Sequence, residues 1–150
     1  MCGRYILKKV MLLLCAVVTS FSVSAQINTE RMMVVGRNAL YFEDYVLSIQ
    51  YFNQIANAKP YMYEPYFYRA IAKLSLEDYI GAEEDCNSSI ERNPFVVDSY
   101  QVRGLSLIYQ DKFDKAIKDY YKGLSMDPEN QSLRHNLVLC LMREDDIEGA

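Results

Sequence analysis

The sequence is short of the residues on which most enzyme and metal sites depend. Its 150 residues include one histidine, His135, and four cysteines, of which Cys86 and Cys140 lie beyond the first 25 residues. No phosphate-binding glycine loop is present, no two cysteines stand at the close spacing of a zinc site, and His135 has no evident nucleophile partner. Both later cysteines lie among apolar residues on helical patterns and are predicted to be small core residues, although export would permit a disulfide. We therefore predict no catalytic residue, no metal and no cofactor.

Long hydrophobic runs are also missing. The unbroken apolar run Val10 to Val18 has nine residues, against the roughly 20 that a membrane-spanning helix needs. Three basic residues precede this run, and small residues follow it up to Ala25, which is the order of a secretory signal peptide. We predict a signal peptide at residues 1–25 that is cleaved after Ala25, in preference to an uncleaved anchor. The mature chain is then expected to have no membrane span and to be periplasmic or secreted.

Basic residues are a minority once this leader is removed. The remaining chain has 13 Lys and Arg against 20 Asp and Glu, a net charge of −7. Such a surface repels phosphate backbones, so nucleic acid is not an expected partner.

Internal repetition, by contrast, is strong. Pro60, Pro94 and Pro128 are 34 residues apart. The same interval relates four further series, which hold acidic or hydroxyl residues, small residues and the turn sequences "EDY", "EDY", "DKF" and "DDI". The series are Glu30, Glu64, Asp98 and Ser132; Gly36, Ala70 and Gly104; Ser48, Ala82, Ala116 and Ala150; and the turns that start at Glu43, Glu77, Asp111 and Asp145. Five series at one period predict a repeat protein.

Each unit is predicted to be a pair of antiparallel helices. An acidic or hydroxyl residue opens the first helix, either by accepting hydrogen bonds from free amides or by complementing the helix dipole. The "EDY"-type stretch supplies the turn. The second helix runs from about Ser48, Ala82 or Ala116 towards the proline, since the residue before a proline resists helical geometry. The small residues let the two helices approach closely.

This pattern resembles the tetratricopeptide repeat, and within that family the kind that bacteria export. The family asks for an aromatic and a small residue in the first helix, an aromatic at the turn, alanine in the second helix and proline near its end. The first unit departs from it with Met32 and Ser48, and the fourth with Arg134 and Val138. The full matches are Tyr66, Ala70, Tyr79, Ala82 and Pro94, then Tyr100, Gly104, Phe113, Ala116 and Pro128.

The resemblance implies an all-α, right-handed superhelix with a concave groove lined by the first helices. It covers residues 29–150 within a domain of residues 26–150, with units at about 29–62, 63–96 and 97–130 and a partial fourth at 131–150. The chain stops where the second helix of the fourth unit should begin, and an uncovered solenoid end exposes apolar surface. We expect a missing C-terminal segment or another chain, including a second copy, to cover it.

The stretch "PYMYEPYFYRA", residues 60–70, is rich in aromatic residues. Tyr66 falls on the internal aromatic position of the family, and Tyr61 and Tyr63 lie in the connection, where they are expected to cover the junction between units. Phe67 belongs to the groove face. Packing between repeats is favoured over a platform for sugars or bases.

Two charged pairs also follow the repeat. Arg69 and Arg103 share one register, and Asp85 and Asp119 lie 16 residues after them. We predict structural ion pairs, within a hairpin or between neighbouring hairpins. Catalysis is disfavoured, because a carboxylate held by arginine has a lowered pKa and carries protons poorly.

The predicted groove follows from helical periodicity and the geometry of the family. In each first helix, residues at i, i+4 and i+7 or i+8 share one face. The candidate peptide-binding residues are Met33, Arg37 and Tyr41; Phe67, Ile71 and Leu74; Gln101, Leu105 and Tyr109; and His135, Leu139 and Arg143.

The best-known groove chemistry of the family is a clamp of basic residues and asparagine for the carboxylate tail of chaperones. The matching positions here hold Met33, Arg37, Tyr68, Asp98 and Val102, of which Arg37 alone is basic. The resemblance therefore implies that the clamp is absent. We expect the apolar strip through the second and third units to hold an extended or helical peptide, with Arg37 and the rim acids Glu64 and Asp98 setting its direction.

The predicted function is a protein- or peptide-binding scaffold or adaptor of the cell envelope. The alternative is the receptor or regulatory portion of a larger enzyme or glycan-handling assembly, with the aromatics stacking on sugar rings. A neighbouring segment of the same chain could also fill the groove. A free-standing enzyme has the least support.

Overall fold

The computed structural model describes Met11 and residues 28–148, and the part of the chain so described is helical with no strand. Helix α1 covers residues 28–41. The next six helices are α2 (Tyr45–Ala58), α3 (Glu64–Ser75), α4 (Tyr79–Arg92), α5 (Val97–Ile108), α6 (Phe113–Met126) and α7 (Gln131–Glu148). The predicted all-α class is confirmed. Apart from Met11, the predicted signal peptide lies outside the described residues.

The second helices begin three residues earlier than the sequence pattern suggested. They start at Tyr45, Tyr79 and Phe113, not at about Ser48, Ala82 and Ala116 as predicted. The reason is a cap: Asp44 Oδ1 accepts a hydrogen bond from the Leu47 amide at 3.1 Å, and Asp78 Oδ1 accepts one from the Gly81 amide at 3.0 Å. An aspartate that satisfies a free amide fixes the residue after it as the first helical residue. The aromatic of each "EDY"-type stretch is therefore helical, and its acidic residues form the turn.

The three turns share one backbone geometry. Glu43, Glu77 and Asp111 have φ values of 63°, 62° and 58°, in the left-handed region. The residue after each one donates its amide hydrogen to a carbonyl five residues back, as from Asp44 to Ala39 at 2.8 Å. The 34-residue period thus reproduces the chain reversal itself.

Prolines end the second helices as predicted. Helices α2, α4 and α6 end at Ala58, Arg92 and Met126, two residues before Pro60, Pro94 and Pro128. The residue that precedes each proline has left helical geometry, as at Asn93, whose φ is −144° and ψ is 97°.

The fourth unit departs from the prediction. The register placed a turn at Asp145, but α7 continues through this position to Glu148. In the first three hairpins a second helix packs back and holds the reversal. No second helix follows α7 among the described residues, and arginine and glutamate at its end are good helix formers.

The helices pack in chain order into a solenoid. Each of α2 to α6 packs on the helix that follows it, and α3 also contacts α5, as α5 contacts α7. No such contact joins α2 to α4 or α4 to α6. The first helices of neighbouring units therefore lie closer together than the second helices do, which puts α3, α5 and α7 on the concave side.

Two clusters of buried side chains hold the layers together. Ala70, Cys86 and Val102 join α3, α4 and α5. A larger cluster joins α5, α6 and α7 and consists of Leu107, Phe113, Ala116, Tyr120, Leu133, Leu137 and Cys140. Both cysteines are buried and free of disulfides, and burial raises the pKa of the Cys86 thiol. They are core residues, as the sequence predicted.

Candidate functional site

The structure places the predicted groove residues on the first helices at graded exposure. Phe67, Ile71 and Leu74 are partly buried and pack against the cluster of Ala70, Cys86 and Val102. Arg37 and Tyr41 on α1 are exposed, as are Tyr109, His135, Leu139 and Arg143. Met33, Gln101 and Leu105 have intermediate exposure. The middle of the predicted surface is thus tied to the core, and its two ends are open.

At the α1 end, an arginine lies on a stack of aromatic rings. The Tyr68 ring stacks on the Phe52 ring with centroids 5.5 Å apart and planes 20° apart. The Arg37 guanidinium carbon lies 5.8 Å from the Tyr68 ring centroid, and the Phe67 ring is 5.1 Å from that of Tyr68. A cation over an aromatic face is attracted to its quadrupole, so Tyr68 restricts where the Arg37 charge points.

At the other end, α5, α6 and α7 enclose a cavity of about 660 Å³. Three predicted groove residues, Leu105, Tyr109 and Leu139, line it together with Arg143. Its other lining residues are Ile108, Asp111, Phe113, Asn136, Cys140 and Met142. The lining is mainly apolar, with Arg143, Asp111 and Asn136 as its polar groups. That composition suits an apolar side chain anchored by a few polar contacts.

The positions of the family's carboxylate clamp do not form a basic site. Arg37 is engaged with the Tyr68 ring. Asp98 is exposed in the first turn of α5, and Val102 is buried against α3 and α4. A free carboxylate at these positions would meet an acid and an aliphatic side chain, so its charge would have little compensation.

The predicted ion pairs are present, and each includes an asparagine that the sequence analysis missed. Arg103 donates from Nε and Nη2 to the two carboxylate oxygens of Asp119 at 2.7 and 2.6 Å, and from Nη1 to Asn87 Oδ1 at 2.7 Å. This arginine on α5 thereby joins α6 of its own hairpin to α4 of the preceding one. We call this three-residue arrangement a latch.

The second latch repeats the first one unit earlier. Arg69 binds both carboxylate oxygens of Asp85 and donates from Nη1 to Asn53 Oδ1 at 2.6 Å. Lys73 Nζ adds a contact of 2.9 Å to Asp85 Oδ2. Hydrogen bonding to Asp85 raises the pKa of Arg69, and bonding to Asp119 raises that of Arg103. Asn53 and Asn87 are also 34 residues apart, so the period itself could have revealed them.

The internal aromatic position makes one recurring contact. Tyr66 Oη donates to the Pro60 carbonyl oxygen at 3.4 Å, and Tyr100 Oη donates to that of Pro94 at 3.0 Å. In the fourth unit Arg134 Nη2 donates to the carbonyl oxygen of Pro128. Arginine thus supplies the hydrogen bond of the missing tyrosine, which explains how α7 docks without the family's aromatic residue.

The aromatic stretch divides as the chain leaves the connection. Tyr66 packs inside the repeat, where the Arg92 guanidinium carbon lies 4.0 Å from its ring centroid. Tyr61 is exposed, so the expectation that it covers the junction is wrong. The Arg92 side chain fills that place, because its Nε donates to the Pro60 carbonyl oxygen at 2.6 Å.

Two other kinds of site were sought in the described part of the chain. No group of three or more His, Cys, Asp or Glu side chains is arranged there to hold a metal ion. No helix among those residues is long and apolar enough to cross a membrane.

No family model matches the chain, but individual proteins do. It is similar to mouse sperm-associated antigen 1, with 29% identity over 102 residues, which are 68% of the chain and 11% of that protein. It is also similar to Hsp70-Hsp90 organizing protein 3 of Arabidopsis thaliana, with 33% identity over 99 residues, or 66% of the chain and 18% of that protein. The chain therefore spans less than a fifth of either relative's length.

Solved structures give the fold class. The first TPR domain of Spaghetti (RPAP3), bound to the HSP90 peptide SRMEEVD, superimposes with a TM-score of 0.76 at 24% identity, over 78% of the chain and 93% of that domain. The second TPR domain of human RPAP3, in complex with the HSP70 peptide SGPTIEEVD, gives 0.74 at 20% identity over 77% and 97%. The fold is a tetratricopeptide repeat solenoid.

Proposed function

We propose that this chain is a protein-binding adaptor module whose concave groove holds an apolar peptide segment. The observation that carries the proposal is the cavity between α5 and α7, where predicted groove residues from two units meet around an apolar space. Two structures of the same fold hold peptides, from HSP90 and from HSP70. A groove that takes a peptide in those proteins supports the same use of the groove here.

The partner segment is inferred to differ from a chaperone tail. Its binding does not depend on a free carboxylate, because Tyr68, Asp98 and Val102 stand where the clamp requires polar amide or basic groups. An aliphatic or aromatic side chain enters the cavity next to Leu105 and Leu139. The acids Glu64 and Asp98 at one rim and Arg37 and Arg143 elsewhere in the groove orient the segment by charge.

Selection of peptides tests this proposal even while the natural partner is unidentified. A library of random peptides displayed at internal positions, with no free carboxyl terminus, is selected on the folded chain. We expect enriched peptides to share an apolar anchor. The variant Leu105→Ser/Leu139→Ser removes two apolar walls of the cavity and should lose most of the affinity, because apolar burial supplies the main driving force.

A matched control is available on the same helix. Val138 and Leu139 are neighbours with similar exposure, 54% and 48%, but only Leu139 lines the cavity. Val138→Ser should bind the selected peptides as the natural chain does. Equal binding by the folded Leu105→Ser/Leu139→Ser variant would place the peptide outside the groove and refute the proposal.

The cellular setting belongs to the proposal as well. We infer export, with removal of residues 1–25, from the order of basic, apolar and small residues in the leader. Relatives named as chaperone-organizing proteins are eukaryotic, which gives the exported bacterial type no support. Mass spectrometry of the chain expressed with its leader in a bacterial host tests this point, since a mature protein that begins at Gln26 is expected and an intact Met1 would contradict export.

A further inference from the structure

The turns that join the helices of the first two hairpins carry an unusual number of exposed apolar side chains. Phe42 and Val46 at the first turn are 76% and 59% exposed, and Leu76 and Ile80 at the second are 45% and 64% exposed. We call these four residues the turn-edge patch. They are two pairs in one register, because Leu76 and Ile80 follow Phe42 and Val46 by 34 residues.

Contacts in the next hairpin show how neighbouring turns lie together. Gln110 of the third turn donates from Nε2 to the Tyr79 carbonyl oxygen at 3.3 Å and to Glu83 Oε2 at 3.0 Å. The third turn thus sits on the first turns of α4. Leu76 precedes Gln110 by one repeat, so the repeat places it on the first turns of α2, beside Val46. The turn-edge patch is therefore one continuous strip.

The same edge is closed by polar bonds in the third hairpin. Lys112 Nζ lies 2.9 Å from Glu83 Oε2, which also accepts from Gln110. Burial raises the pKa of Glu83, but the bonds to Lys112 and Gln110 outweigh it and hold the pKa below its ordinary value. In the first two hairpins Phe42 and Leu76 occupy the register of Gln110, and Asp44 and Asp78 that of Lys112. There the edge is apolar and without such a network.

Charge around the turn-edge patch has one sign. Residues 38–58 and 74–91 contain no lysine or arginine, whereas Glu43, Glu77 and Glu84 are exposed there. The nearest lysine along the chain, Lys73, is ion-paired with Asp85. Helix α6 differs, with Lys115, Lys118 and Lys122 among its residues. A bilayer with anionic lipids would be repelled by the acidic edge.

We propose that the turn-edge patch is a second docking surface, for a segment of a partner protein that presents apolar side chains flanked by lysine or arginine. Apolar contact supplies affinity, and the surrounding carboxylates select the sign of charge and speed the encounter. This surface lies on the turns and on the second helices, away from the cavity between α5 and α7. The proposal therefore stands or falls separately from peptide binding in the groove.

A designed pair of peptides provides the probe. One is a fluorescein-labelled amphipathic helix of leucine and lysine of about 18 residues, and the other has glutamate at every lysine position. Fluorescence anisotropy should show saturable binding of the lysine peptide to the full chain and none of the glutamate peptide. Binding should weaken as salt is raised to about 0.5 M, because exposed charges are screened.

Matched variants locate the binding. Phe42→Ser/Ile80→Ser should weaken binding about tenfold or more, and both positions are exposed enough for the fold to survive, as circular dichroism verifies. Glu43→Gln/Glu77→Gln should reduce both affinity and salt dependence. Glu91→Gln/Glu129→Gln, which changes the net charge equally at exposed positions elsewhere, should do neither.

Three results would overturn the proposal. Equal loss in the Glu91→Gln/Glu129→Gln control would show unspecific attraction to an acidic chain. Loss in Leu105→Ser/Leu139→Ser, with the turn-edge variants unaffected, would assign the peptide to the groove. Sedimentation velocity that shows the chain dimerising through Phe42 and Ile80 would assign the patch to a second copy.

Discussion

The first hairpin and the third use the same helical frame with different means of holding it. In the third, Arg103 joins three helices through Asp119 and Asn87. In the first, Val35 and Tyr51 occupy the arginine and aspartate registers, so no latch forms. Both hairpins still bring a glycine against an aromatic ring. The comparison teaches that close apolar contact suffices for the hairpin, whereas the latch fixes one hairpin to the next.

The largest expected effect breaks the contact that both hairpins share. A Cβ atom added at Gly104 would lie 2.6 Å from Tyr120 Cε1, inside a core where Tyr120 is fully buried. Gly104→Val should destabilise the chain by about 3 kcal/mol through overpacking. At Gly36 an added Cβ would lie 2.9 Å from Phe52 Cε1.

Urea denaturation of Gly104→Val and Gly36→Val measures the comparison. Because the clash is closer in the third hairpin, the loss in unfolding free energy should be larger there. Equal and small losses would mean that neither hairpin depends on the glycine contact.

The second prediction concerns the latch itself. Arg103→Met leaves the buried Asp119 carboxylate without its partner and should cost about 2 kcal/mol, less than a fully buried pair because Arg103 is partly exposed. Arg103→Met/Asp119→Leu should cost less than the single change. A double-mutant cycle with thermal or urea unfolding gives the coupling. Additive losses would reduce the latch to two independent surface charges.

The third prediction separates two buried tyrosines. Tyr120 Oη has no hydrogen-bond partner among the described residues, so Tyr120→Phe should be close to neutral or slightly stabilising. Tyr100 Oη donates to the Pro94 carbonyl oxygen, so Tyr100→Phe should cost about 1 kcal/mol. Differential scanning calorimetry of the two variants should give opposite or clearly unequal shifts in Tm. A loss at Tyr120 as large as that at Tyr100 would imply a missed partner.

The sequence predicted what depends on the period. The helical hairpins, the prolines that end the second helices and the Arg–Asp pairs all recur at fixed spacing, so comparison of the units revealed them. The helix starts at Tyr45 and Tyr79 were misplaced because a cap is a local hydrogen bond that periodicity does not encode.

Features that occur once were harder to predict. The uninterrupted α7, the Arg37–Tyr68 contact and the cavity beside Leu139 each depend on how a particular pair of units meets. Arg134 was taken as a defect of the pattern, since its substitution for tyrosine becomes intelligible only when its bond to the Pro128 carbonyl oxygen is seen.

The central claim is that the groove binds an apolar segment and not a free carboxyl terminus. It is tested most directly with the peptide SRMEEVD, found bound to the Spaghetti (RPAP3) domain, as the free acid and as the C-terminal amide. Isothermal titration against the full chain should show no preference for the acid, and affinity weaker than that of a selected apolar peptide, because Asp98 and Val102 replace the clamp. Tight binding of the acid form that amidation abolishes would contradict the account.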